Sequence, residues 1–434
     1  MLAKTDPAVA IAEGDRSYGH REHIEQLVED CLEELDPPDE LLEPGDRVLV
    51  KPNWALDLDP DLDEDEPQPW EHKITHPAII EATVRWAAKQ LNGNGSILIA
   101  DAPRVPTPFS VIDEMTGLSK IPGRCAADFP GVVISLADYR TAGGSGPEGD
   151  PTGLSEVALG EASEFDGLRL PKAYLQAGQV YRFWRSALSA DVLINLPKLK
   201  THSKLGLTGA LHNVLGLLDD RGALPMNPLA VDETNADLEE EDLDDRLISW
   251  LRRKFRHSRL VQRLLLRSRQ ALNEKEATPE KHESWHGNDL FWRLVLDLNK
   301  ALFYYDGQGE RRTRPLRSLH LIDAVIGGEG NGPVHSDAKP SGILMAGTHP
   351  LAVDCAAAEL MGFDWRKIRL LRNAFRARQL PLAEFAPEDM RCISEHPPWD
   401  GPLEEFSDPV EYHPHDGWWG DIEKEMAEEN AGQN

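Results

Sequence analysis

Arg47-Val-Leu-Val-Lys51-Pro52-Asn53 and Ser96-Ile-Leu-Ile-Ala100-Asp101 bracket residues 77–91, where Ile79, Ile80, Ala82, Val84 and Ala87 recur at helical spacing. A short apolar run, a helix and a second short apolar run form a strand–helix–strand unit. Parallel sheets are built from such units, because parallel neighbours need a crossover between them. The plan recurs downstream. Asp191-Val-Leu-Ile-Asn195 reads as a strand, and so does Leu319-His-Leu-Ile-Asp323, which runs into the Gly-rich stretch 327–333. Residues 342–346 predict another strand and 350–361 a helix, with a further strand over 131–136 and a polar helix over 19–36. The expected fold is α/β, with mixed or mostly parallel sheets flanked by helices and scope for two sub-domains with a site in the cleft between them. In open α/β sheets ligands gather at the carboxyl ends of strands, so the loops after Val50, Ile194 and Ile322 are expected to converge.

Composition shifts divide the chain of 434 residues into four parts. Residues 1–218 form a first α/β portion and 219–288 an acidic then basic helical insertion. Residues 289–378 complete the α/β domain, and 379–434 are an acidic C-terminal extension. The insertion is acidic over 237–245 and basic and amphipathic over 248–266. It reads as a helix packed on the main domain, with a protein partner at 232–275 as the alternative. The formal net charge of -29 repels phosphate at long range, which excludes nucleic-acid binding through a generally basic surface. Only 16 of the 46 cations are Lys, so four Lys between Lys172 and Lys204 stand out. Cys31, Cys125, Cys355 and Cys392 are far apart in sequence. No protein-ligated iron–sulfur cluster and no structural zinc is expected from them. Residues 1–14 lack signal-peptide zones and no apolar run is long enough to span a bilayer, so a cytoplasmic protein is expected.

The strongest chemical signal is Asn195-Leu-Pro-Lys198-Leu-Lys200-Thr201-His202-Ser203-Lys204-Leu-Gly206-Leu-Thr208-Gly209-Ala-Leu-His212-Asn213. It reads as a loop leaving a strand, with a helix over 206–218. Three Lys and one His within seven residues repel one another unless an anion or carboxylate sits among them. Thr208 adds a hydroxyl near the helix start. Lys51-Pro52-Asn53 places a second cation at a strand end, and Thr75-His76-Pro77 reads as a helix cap. In Asp323-Ala-Val-Ile-Gly-Gly328-Glu329-Gly330-Asn331-Gly332-Pro333 the glycines allow close backbone approach to a ligand, but no Lys-Ser/Thr follows, so this is not a Walker loop. Asp354, one turn into the helix after His349-Pro350, suits a cap, an ion pair or a metal ligand.

In this order, these segments resemble the domain-of-unknown-function 362 family over roughly residues 45–365, with 219–288 divergent. His282 and Asp289 match a family His and Asp. Many members carry ferredoxin-like cluster modules, which implies redox work. This chain departs from that pattern, so a redox role would need an external electron donor. Asp101-Ala-Pro-Arg104-Val-Pro-Thr-Pro108 is similar to an Asp/Arg/Pro motif of the nickel-pincer lactate racemase family.

The leading expectation is an enzyme acting on a small anionic substrate, a carboxylate or phosphate, by elimination or isomerisation. Lys51, Lys198 and Lys204 bind the anion, with Thr208, Gly330 and Gly332 contributing. Lys200 and His202 transfer the proton, and Asn53 or Asn213 stabilises an oxyanion. A second expectation is a divalent-metal or redox-cofactor protein with His202, His212, Asp323 and Asp354 as ligands. A third is a non-catalytic accessory or binding protein.

Overall fold

The structure, a computed structural model, describes residues 7–37, 39–56, 69–103, 107–140, 152–167, 180–219, 288–377 and 379–424. The strands are β1 (Ala8–Glu13), β2 (Arg47–Pro52), β3 (Gly95–Asp101), β4 (Val132–Asp138), β5 (Leu154–Ala158), β6 (Val180–Trp184), β7 (Val192–Leu196), β8 (Lys198–His202), β9 (Gly206–Thr208), β10 (Arg317–Asn331), β11 (His335–Gly347), β12 (Arg391–Ile393) and β13 (Gly401–Pro402). The helices are α1 (Arg21–Leu35), α2 (Pro77–Gln90), α3 (Phe109–Thr116), α4 (Ile121–Asp128), α5 (Arg185–Ser189), α6 (Ala210–Asn213), α7 (Phe291–Tyr304), α8 (Pro350–Leu360) and α9 (Arg369–Ala374).

A mixed, mostly parallel sheet runs in the order β13-β12-β1-β11-β10-β7-β2-β3-β4, flanked by helices. The strand–helix–strand unit is present: β2 and β3 pair in parallel, with Val48 opposite Ile97 and Val50 opposite Ile99. β7 is buried along its whole length, as expected of a parallel strand covered on both faces. Leu49 and Leu193 point into one apolar cluster, and Val48, Val50, Val192 and Ile194 into another, so the core lies on both sides of the sheet. β10 sits between β7 and β11, while β1 sits between β11 and β12. Residues before and after the insertion therefore share one continuous sheet. Residues 220–287 of the insertion, including the helix expected over 248–266 and His282, lie outside the described residues.

Two His-Pro pairs start helices in the same way. The Nδ1 of His76 accepts from Ala78 N at 3.1 Å, and that of His349 accepts from Leu351 N at 3.2 Å. Each ring satisfies a backbone N–H that the first turn leaves open, and the following proline has the right φ for that turn.

Two local expectations are corrected. Residues 198–208 are not a loop entering a helix but a β-hairpin, β8–β9, with Lys200 opposite Thr208 and His202 opposite Gly206. Helix follows only over Ala210–Asn213, continued by a tight 3-10 turn. The Gly-rich stretch after Asp323 is not a loop either; β10 continues through it to Asn331, paired with β11. The two corrections share a cause. The extension of β10 offers a backbone edge that captures β8, with Asp323 opposite Lys198 and Gly328 opposite Lys200. The glycines permit close packing of this layer. A Cβ on Gly328 would lie 2.9 Å from Lys200 Cβ, and one on Gly332 would lie 2.3 Å from the Thr201 carbonyl oxygen.

Candidate functional site at the strand ends

The carboxyl ends of β2, β3 and β7 meet in a buried polar knot. Lys51 Nζ lies 2.6 Å from Asp101 Oδ1 and donates to the Pro52 carbonyl at 2.8 Å. Asp101 Oδ2 accepts from Trp54 N at 2.6 Å. Asn213, on α6, donates to Asn195 Oδ1 at 2.8 Å and to the Lys51 carbonyl at 3.2 Å. Asn53 N donates to Thr75 Oγ1, which itself donates to the Leu196 carbonyl at 2.5 Å. The loops after β2 and β7 thus converge. Their polar groups are engaged with one another: Lys51 is paired with Asp101, and Asn213 ties strand ends together. The Asn53 side-chain oxygen accepts from Ala55 N at 3.0 Å, shaping its own turn.

Along β8 the side chains alternate, so Lys198, Lys200 and His202 share one face. Lys198 is fully buried and paired with Asp323 at 2.8 Å, and it donates to Tyr18 OH at 2.6 Å. Tyr18 OH donates to the other carboxylate oxygen of Asp323 at 2.5 Å, and His76 N donates to Oδ2 at 2.9 Å. Burial lowers the Lys198 ammonium pKa against the opposing pull of Asp323. Lys198, like Lys51, is thus paired with a buried carboxylate. Lys200, next along the face, donates to the Lys73 carbonyl at 2.7 Å.

His202 ends the row. Its Nδ1 accepts from Lys204 N at 3.0 Å, which places the proton of the neutral ring on Nε2. Burial, then the charges of His212, Lys204, Lys200 and His415, hold its pKa well below the usual imidazole value. The lowered pKa favours the neutral ring, with Nδ1 engaged by the backbone and Nε2–H as its donor. His212 lies 4.9 Å away, centroid to centroid, and Phe291 of α7 forms an apolar wall at 5.6 Å. His202 is 6% exposed, whereas Lys204 and His212 are half-buried, so the locus opens to solvent at their end. Across the hairpin, on the face of Lys200, Thr208 is 0% exposed and its hydroxyl has no hydrogen-bond partner. A second buried hydroxyl without one, Ser336 Oγ, lies with Lys200 Cβ against Gly328.

The four expected metal ligands are not brought together. Asp323 is occupied by Lys198, Tyr18 and His76 N. Asp354 accepts from Ala210 N and Leu211 N, at 2.5 and 2.9 Å, and so anchors α6. Burial raises its carboxyl to about 7, against those two bonds. Only His202 and His212 adjoin, and among the described residues no group of three or more His, Cys, Asp or Glu has an arrangement able to hold a metal ion. These residues do not fit a metal centre. The four cysteines are buried in α1, α4, α8 and β12. Gly330 and Gly332 serve the hairpin: the Gly330 carbonyl accepts from Thr201 Oγ1 at 2.8 Å, and that of Gly332 accepts from Ser203 N at 3.0 Å.

Some residues of this region carry little or no signal in the sequence. Asp101 has the same strand-end signature as Lys51 and Asn195 and is legible in principle. Tyr18, Ser336 and His415 have no local signal, since only distant pairing brings them in. Of the racemase-like motif, Asp101 is the partner of Lys51, and residues 104–106 lie outside the described residues.

The fold and this strand-end site define an α/β protein with a basic locus set beside a buried, charge-compensated knot. The family described as "Domain of unknown function (DUF362)" matches residues 48–359, and the chain belongs to it. It is 21% identical over 338 residues to a thylakoid-associated protein of Synechocystis sp., covering 77% of this chain and 68% of that protein. Among solved structures, a Thermotoga maritima protein is 12% identical with a TM-score of 0.36, covering 80% of this chain and 60% of that one. The lactate racemase apoprotein of Thermoanaerobacterium thermosaccharolyticum is 15% identical with a TM-score of 0.27, covering 50% of this chain and 40% of that one. The chain thus spans less than two thirds of the length of either solved structure. No described helix is long and apolar enough to cross a membrane.

Proposed function

We propose that the chain binds a small oxyanion, a carboxylate or phosphate, among Lys200, Lys204, His202 and Thr208, and performs proton-transfer chemistry on it, by elimination or isomerisation. The observation that carries this reading is the Thr208 hydroxyl: fully buried, without a hydrogen-bond partner, and facing the same way as Lys200. A buried hydroxyl left unpaired costs about 1–3 kcal/mol, so its retention beside a basic cluster favours a ligand oxygen as its partner. Lys200 and Lys204 supply positive charge in a protein that is otherwise strongly acidic. The neutral Nε2–H of His202 is suited to stabilise a developing oxyanion without the cost of burying a cation. Lys200 is the group assigned to proton transfer, because its buried amine stands in the row between Lys198 and His202, across the hairpin from Thr208.

The test works with the substrate still unidentified. Small 2-hydroxy, 2-keto and phosphorylated carboxylates are incubated with the protein in D2O, and loss of the carbon-bound proton is followed by NMR. Washing-out of that proton by the wild type and its loss in Lys200→Met are expected. Absence of exchange for every compound, together with absence of phosphate or carboxylate binding by calorimetry, refutes the reading.

A further inference from the structure

We propose that the ligand of this site is two-ended: a carboxylate or phosphate held beside Lys200 by Thr208, and an uncharged oxygen, a hydroxyl or carbonyl, held on the far side of Lys200 by Ser336. This deepens the anion-binding reading above and rests on it. Ser336 lies on β11 between His335 and Asp337, which are both exposed, while Ser336 itself is 7% exposed. Successive side chains of a strand alternate, so the Ser336 side chain turns inward. Its hydroxyl is buried there without a hydrogen-bond partner, as that of Thr208 is. An apolar side chain would fill an inward position without that cost, so a hydroxyl at each of two inward positions points to ligand oxygens as their partners.

The two hydroxyls occupy one face of the layer. Lys200 stands opposite Thr208 on β9 and opposite Gly328 on β10, and directly opposed side chains point the same way. The place where a Gly328 Cβ would stand is 2.9 Å from Lys200 Cβ, 3.0 Å from Ser336 Oγ and 3.1 Å from the His72 carbonyl oxygen. Ser336 thus leans across β10 toward Lys200, over a residue with no side chain to intervene. One turn covers both: His72 Nε2 donates to the Ser336 carbonyl at 2.8 Å, and Lys200 Nζ donates to the Lys73 carbonyl at 2.7 Å. Thr208 and Gly328 are two strand spacings apart, roughly 9–10 Å. With a hydrogen bond of about 2.8 Å taken at each end, the two ligand oxygens stand at least roughly 4 Å apart. The oxygens of a single carboxylate or phosphate are closer together than that, so one such group satisfies one hydroxyl and not both. The surroundings decide which end is charged. Apart from Lys200, which both ends share, the groups beside Ser336 are the Gly328 backbone, the His72 carbonyl and an imidazole that burial pushes down to about 4 and so keeps uncharged near neutrality. A second anion there would be buried without a counter-charge of its own, which is costly, whereas a hydroxyl or carbonyl oxygen needs only the hydrogen bond.

The experiment is calorimetric titration of the full chain with matched pairs: butyrate, valerate and propyl phosphate, each against its terminally hydroxylated form. In the wild type a hydroxylated member is expected to bind about tenfold more tightly than its parent, the worth of one well-placed hydrogen bond. Ser336→Ala is expected to abolish that preference while leaving the affinity for the parent anion unchanged, whereas Thr208→Val weakens both members of the pair alike. If every parent binds as tightly as its hydroxylated partner, or if Ser336→Ala keeps the preference or weakens both members alike, the two-ended inference fails with the anion site standing. If the wild type binds none of these compounds, the anion-binding reading fails with it.

Discussion

Gly216 tests whether the polar knot depends on the Lys51–Asp101 pair. A methyl group there would place Cβ 1.9 Å from Asp101 Oδ1 and 3.0 Å from Lys51 Nζ. The carboxylate would have to retreat by roughly 1.5 Å to restore ordinary contact, on the order of the gap between a hydrogen-bonded and a broken contact. The pair now at 2.6 Å would then be lost, and both groups are almost wholly buried. Disrupting a buried pair so that its charges stand uncompensated costs about 3–5 kcal/mol. Gly216→Ala should therefore lower the unfolding free energy by about that amount, read from the urea midpoint at unchanged slope. In an Asp101→Ala background the clashing oxygen is absent, and the same substitution should cost under about 1 kcal/mol, a coupling of roughly 2 kcal/mol or more. Equal costs in the two backgrounds, or a loss in Gly216→Ala below about 1 kcal/mol, would refute the argument.

Further outcomes follow from other parts of the site. Thr208→Val removes the unpaired hydroxyl at nearly constant shape; denaturation should show stability unchanged or raised by up to about 1 kcal/mol, while calorimetry shows weaker anion binding. A drop of about 2 kcal/mol would mean that the hydroxyl has a structural partner. Asp323→Asn leaves Lys198 buried without its counter-charge and should cost about 3–5 kcal/mol, with Lys198→Met in the same chain recovering much of it; equal stability of the single and double variants would sink that account. Burial lowers His76 and His320 to about 3, and His72 and His349 to about 4. The unfolded chain takes up these protons near 6.5 and the native state does not. Stability is thus fully present above about pH 6.5 and falls on acidification from there toward pH 3, by about 1.4 kcal/mol per pH unit for each such histidine. Urea titrations from pH 7 to 5 check the slope, and His320→Gln should reduce it by about one proton.

How much of this is legible in the sequence depends on how far each feature reaches along the chain. The strand–helix–strand plan, the strand-end positions of Lys51, Asn195 and Asp101, and the His-Pro helix starts are carried by a few neighbouring residues, because apolar periodicity and first-turn capping are local. The dense Lys/His segment is visible for the same reason. Its internal division is not. Lys51, Lys198 and Lys200 look equivalent as residues, yet Asp101 neutralises the first, Asp323 neutralises the second, and the third donates to the Lys73 carbonyl. The hairpin reads as a loop from sequence because Lys and His have no strong strand preference. The edge of β10, reached only in the folded chain, decides that β8 is a strand. The sequence by itself determined the α/β plan and the stretch on which the chemistry is proposed to rest. The tertiary structure alone decided which charges are compensated, which nitrogen of His202 carries the proton, and that the C-terminal segment brings Trp418 to the hairpin. Periodicity is a property of neighbours in the chain, whereas charge compensation and hydrogen-bond partnership are properties of residues that meet only on folding.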